Sequence, residues 1–308
     1  MIICNLSMKG FYRMQLRNKF SGKCRIDTGW FPNIILDAGR NLGMPVVANW
    51  LTHCQVGTDG TLPSVLDTSL GGHVASTSNI LNTDFGNSSN EPYYGWKRKL
   101  WRFPAGSVTG ILAEVAVGWG AGADTLISRA LIIDPVTGTS TTIAPLVDEI
   151  LDVSYELRYY PSLVDTFSVV ELYGTTYNTE TRAASVTGSN WSSYIGQKFG
   201  KQSSYNSDWK AYSGDIGEIT EAPSGVSVDC DNSAQSTAAY SNNSYQIKVN
   251  TFVGPTGWNV VGGIRSIRWR TTMGDYQTQF NAVSGGNTIP KTALLTMQMA
   301  WTVGWDNL

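Results

Sequence analysis

The chain has 308 residues and is close to neutral, with 24 acidic and 22 basic side chains and a formal net charge of −2. Its charged fraction of 15% and its aromatic fraction of 11% argue against a disordered chain, because disordered chains are rich in charge and poor in aromatic residues. Near-neutrality also argues against nucleic acid as a partner, since no basic stripe is present to bind the phosphate backbone.

No stretch approaches the roughly 18 apolar residues of a transmembrane helix, so membrane insertion is not expected. Residues 1–6 lack the basic flank and the apolar run of a signal peptide, which predicts synthesis and retention in a cytoplasm. The four cysteines are widely spaced and form no CxxC pair, which argues against a zinc or haem site. We expect free, buried thiols at Cys4, Cys24, Cys54 and Cys230.

Alternation of apolar and polar residues predicts strands along most of the chain. The first is predicted over 11–17, and residues 18–23 are expected to turn the chain into a hairpin partner over 24–30. Further strands are predicted over 108–119, 128–133, 153–159, 167–173 and 294–303.

The most basic cluster lies over residues 96–103 and is also predicted as a strand. Its alternation places Arg98 on one face, and Lys97 and Lys99 on the other. Interleaved aromatic and basic residues can stack nucleic-acid bases. The favoured interpretation is instead a half-buried strand whose long cationic side chains reach out to solvent.

Helical signals are few and lie in the first half of the chain. Residues 33–42 predict a short helix that ends at Gly43, and residues 64–70 predict one more helical turn or two. The predicted fold class is mainly β, with two β-sandwich- or barrel-like domains and one or two short helices in the N-terminal half. A change of composition past Pro161 places these domains at 1–163 and 164–308.

Candidate catalytic groups are scarce, because the chain has only two histidines. His53 precedes Cys54, but neighbouring residues on a strand face opposite sides, so we expect a core thiol and a surface imidazole. Residues 118–123 contain part of a dinucleotide-binding fingerprint. They lack a third glycine in register and a following helix, so they predict a turn between strands.

Carboxylates occur in near pairs at two places. Asp148, Glu149 and Asp152 lie among apolar residues and predict a strand entry with paired charges. Glu218 and Glu221 are the candidate acid and base of a glycosidase, which needs two carboxyl groups roughly 5–10 Å apart in a cleft.

Asp229, Asp231 and Asn232 alternate around Cys230 and offer oxygen ligands that calcium prefers. The spacing lacks the glycine and the terminal glutamate of a calcium loop. No catalytic, cofactor-binding or metal-binding residue is therefore assigned.

Aromatic residues recur on a polar background after residue 175. Tyr and Trp supply rigid contact area in recognition surfaces, Ser and Asn supply adaptable hydrogen bonds, and aromatic rings also stack on sugars. The alternative is that these rings fill a β core, and the sequence leaves both interpretations open. The candidate ligand or receptor contacts are Trp191, Tyr194, Tyr205, Trp209 and Tyr212.

Several blocks of sequence carry a resemblance to a known family. They are DTGWFPNIILDAG at 27–39, HCQVGT at 53–58 with DTSL at 67–70, EVAVGW at 114–119 with LISRALI at 126–132, DEILDVSYELR at 148–158, and IPKT at 289–292 before Trp301. Together they resemble tailed-bacteriophage virion proteins of the tail-fibre or tail-associated structural type. The blocks span most of residues 9–160 and the final twenty, and they bring no catalytic residues.

The resemblance implies a non-enzymatic structural component of a phage tail, in a fibre, collar or baseplate position. Such a protein is made in the bacterial host cytoplasm and located on the virion. Its implied partners are copies of itself, in a trimer or a hexamer-type ring, and other phage tail or collar proteins. Residues 1–163 would form the attachment or assembly module, and residues 164–308 the outward-facing or intersubunit module.

Two alternatives stay open beside this prediction. One is a host-attachment adhesin of the tail that binds a host surface glycan or receptor through the aromatic residues after 190. The other, less favoured, is a polysaccharide-degrading tail enzyme, for which Glu218 and Glu221 are the candidate residues.

Overall fold

The computed structural model describes residues 2–188, 190–199, 209–230, 233–284 and 286–307. The described chain is mainly β, which confirms the predicted fold class. The strands of the first half are β1 Ile2–Asn18, β2 Cys24–Asp27, β3 Phe31–Pro32, β4 Ile34–Ile35, β5 His53–Gly57, β6 His73–Thr77, β7 Ile80–Asn87, β8 Gly95–Phe103, β9 Glu114–Gly118 and β10 Leu126–Leu131. Those of the second half are β11 Glu149–Pro161, β12 Thr166–Leu172, β13 Thr175–Ala183, β14 Lys210–Tyr212, β15 Ser227–Asp229, β16 Ser233–Thr237, β17 Gln246–Val253, β18 Ser266–Thr271, β19 Gly274–Ala282 and β20 Met297–Asn307.

Strand β1 is the central strand of the largest sheet. Alternate residues from Cys4 to Leu16 are buried in the core, as the period-two pattern over 11–17 predicts. One edge of β1 pairs antiparallel with β11, from Leu6 opposite Pro161 to Asn18 opposite Glu149. At its N-terminal end the other edge pairs in parallel with β20, and Ile2 lies opposite Trp301.

The described strands form three sheets. The nine-stranded sheet has the order β16-β17-β20-β1-β11-β8-β7, and β2 and β3 also pair with β1. The five-stranded sheet has the order β4-β10-β9-β5-β6, and the six-stranded sheet has the order β12-β13-β19-β18-β14-β15.

The proposed domain boundary at residue 163 falls between β11 and β12, yet the nine-stranded sheet takes strands from both sides of it. One hydrophobic cluster likewise combines residues of both halves, such as Leu16 and Val117 with Trp269 and Trp301. The sheet and the core are therefore continuous across the boundary that composition suggests.

The helical segments are short, and none among the described residues is long and apolar enough to cross a membrane. A π-helical turn at Gly39–Gly43 leads into an α-helical turn at Met44–Val46, and a 3-10 helix covers Asn190–Tyr194. The helix predicted over 33–42 starts later, because Ile34 and Ile35 pair with β10 instead, and its helical turns continue past the predicted end at Gly43 to Val46. Sheet pairing overrides the helical pattern at these two positions.

The helical turns predicted over 64–70 are wrong, since the described chain has only a turn there. The Asp67 carboxylate accepts the backbone N–H of Ser64 at 2.9 Å and forms an ion pair with Arg129 at 2.5 Å. These contacts hold the segment as a loop against β10.

The local turn predictions are confirmed. Residues 18–23 connect β1 to β2, and the Asn18 side-chain oxygen accepts the backbone N–H groups of Phe20 and Ser21. The glycine-rich segment after Gly118 connects β9 to β10 as a turn.

The continuity of the nine-stranded sheet predicts one cooperative unfolding transition for the whole chain. A fragment of residues 1–163 loses β20, β17 and the aromatic core beneath them, so we expect no cooperative transition of its own. Urea unfolding followed by tryptophan fluorescence and far-UV circular dichroism tests this. Two separate transitions in the full chain, or a fragment that unfolds cooperatively, would contradict the continuous sheet.

Candidate functional site: the outer face of the nine-stranded sheet

One face of the nine-stranded sheet points away from the core and carries most of its polar side chains. The alternation of β1 directs Phe11 and Arg13 to this side, and strand register places Phe11 beside Glu156, and Glu156 beside Arg98. We call this surface the outer face. Its principal members are Lys9, Phe11, Arg13, Arg17, Asp27, Trp30, Tyr94, Trp96, Arg98, Arg102, Asp152, Glu156, Arg158 and Tyr160.

Glu156 is the centre of the outer face. Its side chain is only 4% exposed, and it accepts hydrogen bonds from Arg98 Nε at 3.0 Å and from Arg158 Nε at 2.7 Å. Both guanidinium groups thus share one nearly buried carboxylate. Because a buried charge needs a partner, Glu156 holds the two arginines in place.

Aromatic rings lie against the same two guanidinium groups. The Arg98 guanidinium carbon lies 5.0 Å from the ring centre of Trp30 and 5.2 Å from that of Trp96. The corresponding distances for Arg158 are 4.4 Å to Phe11 and 4.7 Å to Tyr94. Planar guanidinium groups stack favourably on aromatic faces, so each arginine is positioned by two rings as well as by Glu156.

A second carboxylate is shared in the same way farther along the sheet. Arg102 Nε lies 2.7 Å from Asp152 Oδ1, and Arg17 Nε lies 3.7 Å from Asp152 Oδ2. The hydrogen bond to Asp152 raises the pKa of Arg102 above its ordinary value.

Arg13 and Asp27 complete the ion pairs, with Arg13 Nε 2.8 Å from Asp27 Oδ1. The hydrogen bond from Arg13 holds the pKa of Asp27 well below its usual value, and the N–H of Gly29 and the amide of Gln15 add to this. In the described pairs of the outer face, five arginines therefore share three carboxylates. These pairs contain two more cations than carboxylates, and strand register places one further exposed carboxylate, Asp84, opposite Arg98.

A groove of about 620 Å³ lies at the end of the outer face where Lys9 and Tyr160 are found. It combines the two aromatic rings of Tyr93 and Tyr160 with polar groups of β1, the 161–163 loop and β20. Its lining residues are Asn5, Leu6, Ser7, Lys9, Pro92, Tyr93, Tyr160, Pro161, Ser162, Leu163 and Asp306.

The opposite side of β8 carries the two lysines of the basic cluster. Lys97 Nζ donates to the Ser193 carbonyl at 2.7 Å, and Lys99 Nζ donates to the Leu51 carbonyl at 2.5 Å. Desolvation, with a smaller contribution from the charge of Lys99, lowers the pKa of Lys97 to about 8. The half-buried strand expected over 96–103 is present, with all of its residues from Trp96 to Leu100 partly buried. The expectation that its cations reach out to solvent is wrong for Lys97 and Lys99, whose ammonium groups bind backbone carbonyls instead.

The aromatic residues named as candidate contacts lie largely inside the protein. Trp191, Trp209 and Tyr212 are buried, and Tyr194 is partly buried. Tyr205 lies outside the described residues. Of the two interpretations left open by the sequence, core packing applies to Trp191, Trp209 and Tyr212.

The physical reason is that the interior has room for the indole rings of Trp191 and Trp209 and supplies a hydrogen-bond acceptor for that of Trp209. Trp209 Nε1 donates to the Arg270 carbonyl at 2.9 Å, and its ring centre lies 5.0 Å from that of Trp301. Trp191 packs on Gly95, where an added Cβ would come within 2.4 Å of the indole ring. A glycine at this point of β8 makes room for the buried ring.

The remaining sequence candidates do not converge on one another. Cys54 is buried and His53 is partly exposed, and the His53 ring contacts Thr52 Oγ1 at 2.9 Å. Glu218 and Glu221 are both exposed, on a turn in which the Glu221 N–H donates to the Glu218 carbonyl.

No group of three or more potential metal ligands is found among the residues that the structure describes. Asp229 pairs with Lys210 at 3.0 Å, whereas Asp231 and Asn232 lie outside the described residues. All four cysteines are free, three of them buried and Cys24 partly buried. Burial raises the pKa of Cys54 well above its ordinary value, which disfavours its thiolate form.

A buried polar cluster forms a second concentration of charge. Arg129 contacts Glu114 at 2.7 Å and Asp67 at 2.5 Å, and Glu114 accepts the N–H of Gly72 at 2.8 Å. The contacts of Asp67 and Gly72 tie the 58–72 loop to β10 and β9, and the contact between Arg129 and Glu114 joins the two strands. We interpret the cluster as a structural anchor of the five-stranded sheet.

Sequence reasoning found the basic strand β8 but missed the outer face as a unit. The available signal is a repeated spacing of two residues, seen in Phe11 with Arg13 and in Trp96 with Arg98. Each pair alone indicates one face of one strand. Only the register among β1, β11 and β8 brings them together.

In comparisons with known proteins, no family model, no curated protein and no solved structure matches the chain. The resemblance to phage tail proteins therefore stays a prediction from the sequence blocks.

The lowered pKa of Lys97 predicts a pH-dependent contribution to stability. The unfolded chain, with a lysine pKa of about 10.4, binds more protons than the folded chain between about pH 8 and pH 10. The free energy of unfolding of the wild type, relative to that of Lys97→Met, should therefore rise with pH in this window. Urea unfolding of both proteins at several pH values measures the difference, and a flat or falling difference would show that Lys97 is not desolvated.

Proposed function

We propose that this chain is a non-enzymatic structural component of a bacteriophage tail that assembles as a homo-oligomer and contacts a neighbouring virion protein through the outer face. The carrying observation is that Arg98 and Arg158 lie between aromatic rings and share the nearly buried Glu156. Arg, Trp and Tyr are the residue types that contribute most to binding energy at protein interfaces.

The arrangement of these arginines favours binding because it limits the entropy lost on association. A free arginine on a surface samples many rotamers, and ordering it costs about 0.5–1.5 kcal/mol per side chain. Arg98 and Arg158 are each held by a carboxylate and two rings before a partner arrives. The outer face thus offers preorganised donors on rigid strands.

The charge of the outer face supports an acidic partner surface. Five arginines share three carboxylates, so guanidinium donors remain for carboxylates of another protein. Charge complementarity of this kind raises the association rate and discriminates against wrong partners.

The phage tail part of the proposal rests on the sequence resemblance. Two of the resembling blocks, at 27–39 and 148–158, contribute residues to the outer face. They provide Asp27 and Trp30 in one case, and Asp152, Glu156 and Arg158 in the other. The blocks that suggest a virion protein therefore overlap with the surface that suggests a protein contact.

A carbohydrate-binding adhesin is a second candidate function, and the groove at the end of the outer face favours it. Tyr93 and Tyr160 offer ring faces for a sugar, while Ser7, Lys9 and Asp306 offer hydrogen-bonding groups around them. This site replaces the buried Trp191 and Trp209 as the candidate glycan contact. No comparable observation favours the polysaccharide-degrading enzyme.

The protein contact is tested with the triple variant Arg98→Met, Glu156→Gln and Arg158→Met, which removes both cations without leaving Glu156 as an unpaired buried charge. Particles are purified from host cells that express either the wild-type protein or the triple variant. The copy number of this protein per particle is then measured by mass spectrometry. We expect incorporation of the variant to fall at least tenfold, because the preorganised donors are lost. Circular dichroism verifies that the variant is folded.

The matched control is Lys19→Met with Lys23→Met, which removes two positive charges from the exposed turn between β1 and β2. We expect this variant to be incorporated like the wild type. Full incorporation of the folded triple variant would overturn the contact through the outer face. Absence of the wild-type protein from purified particles would overturn the phage tail assignment itself.

A further inference from the structure

Strand β12 is an edge strand of the six-stranded sheet. Among the described strands it pairs only with β13, in an unbroken register from Thr166 opposite Thr181 to Leu172 opposite Thr175. Its other edge makes no strand pairing among the described residues, and it lines a groove whose opposite wall is formed by residues of β1, β17 and β20. An open edge of this kind is a template for pairing with another chain.

Other described edge strands carry features that discourage such pairing. Strands β4 and β15 have only two and three residues. Strand β16, an edge of the nine-stranded sheet, has five small or polar residues and so offers a partner little apolar surface. The pairing of β6 contains a register shift, and so does that of β7, which also exposes Asp84 although Leu81 and Phe85 are apolar. Short length, irregular pairing and exposed charge are the usual protections of a sheet edge.

Apart from one exposed carboxylate, that of Glu171, β12 has none of these protections. Its seven residues contain no proline and no lysine, and its outward-facing side chains include Phe167 and Val169, which are 75% and 57% exposed. Val164, just before the strand, is 76% exposed. The only charged residue in the strand is Glu171.

We propose that a second copy of this chain pairs with β12 along this edge, antiparallel and around a two-fold axis. The pairing joins two six-stranded sheets into one continuous sheet. This proposal names the self-contact of the homo-oligomer in the proposed function. It rests only on the homo-oligomer in the proposed function and not on the contact through the outer face, since the outer face belongs to a different sheet.

A second copy fits this edge because the strand is complementary to itself. Centring the two-fold axis on Val169, the middle of Thr166–Leu172, pairs all seven residues of each copy. Val169 then lies beside the partner's Val169, and β-branched cross-strand pairs are favourable. The two Glu171 carboxylates lie four positions apart, about 13 Å along the strand, which is beyond the range of strong repulsion at physiological salt.

The size of the contact sets the expected affinity. Seven residues form an edge of about 24 Å, to which the exposed Val164 and Tyr173 add apolar surface at its ends. Such a strip belongs to the class of small interfaces below about 1,200 Å². We therefore expect a concentration-dependent dimer in solution, which a high local concentration on a particle would strengthen.

Sedimentation equilibrium of the full chain over a wide concentration range tests the pairing, with Val169→Lys as the disrupting variant. This substitution sets two ammonium groups against each other at the two-fold axis, and we expect it to weaken dimerisation at least tenfold. Val136→Lys is the matched control, because Val136 is 90% exposed on a turn away from β12. It should dimerise like the wild type.

A cross-linking measurement gives a positive readout that does not depend on weakening the dimer. In the proposed register the Cα atoms of the two Val169 residues lie about 4.5–5.5 Å apart, within the range that a disulfide spans. Val169→Cys should therefore form a covalent dimer on treatment with diamide, whereas Val136→Cys should not.

A wild-type chain that stays monomeric throughout, or a dimer that Val169→Lys leaves intact, would overturn the proposal. A monomeric chain would indicate instead that the edge of β12 pairs with an extended segment of a different protein. Loss of dimerisation by Val169→Lys with normal dimerisation of the outer-face triple variant would separate this contact from the one tested on particles.

Discussion

The alternation of buried and outward-facing residues in β1 is the constraint on which the rest of the structure depends. One set of side chains, which includes Tyr12 and Met14, packs into the core, while the other, which includes Phe11 and Arg13, forms part of the outer face. A register slip of one residue would exchange the two sets. Core and candidate site thus have a common origin, and β1 joins β11, from residues 1–163, to β20, from residues 164–308, in one sheet.

Much of the fold could be predicted because strand periodicity is a local property of the sequence. The predicted strand over 11–17 and the hairpin after it are both present, as is the strand over 96–103. The parallel pairing of β1 with β20 could not be predicted, since no local pattern specifies contact between the two ends of a chain. Composition alone suggests two separate domains, whereas this pairing places strands from both sides of residue 163 in one sheet.

The candidate site was harder to predict because it depends on register. Trp191 and Trp209 lie in a polar stretch that is typical of a recognition surface, yet their rings fill the core, and Trp209 Nε1 finds a backbone acceptor there. Arg98 and Arg158 are far apart in sequence and meet only because β8 and β11 are neighbours and both contact Glu156. The sequence shows the alternation of each strand, but not which strands are adjacent.

The central claim, that the outer face is a protein contact surface on a phage particle, is tested most directly by hydroxyl-radical footprinting of the free protein and of the protein in purified particles. The claim predicts that oxidation of Trp30 and Trp96 falls sharply in the particle. Phe20, which is 81% exposed on the turn between β1 and β2, serves as the internal reference. Equal oxidation of Trp30 and Trp96 in both states would contradict the claim.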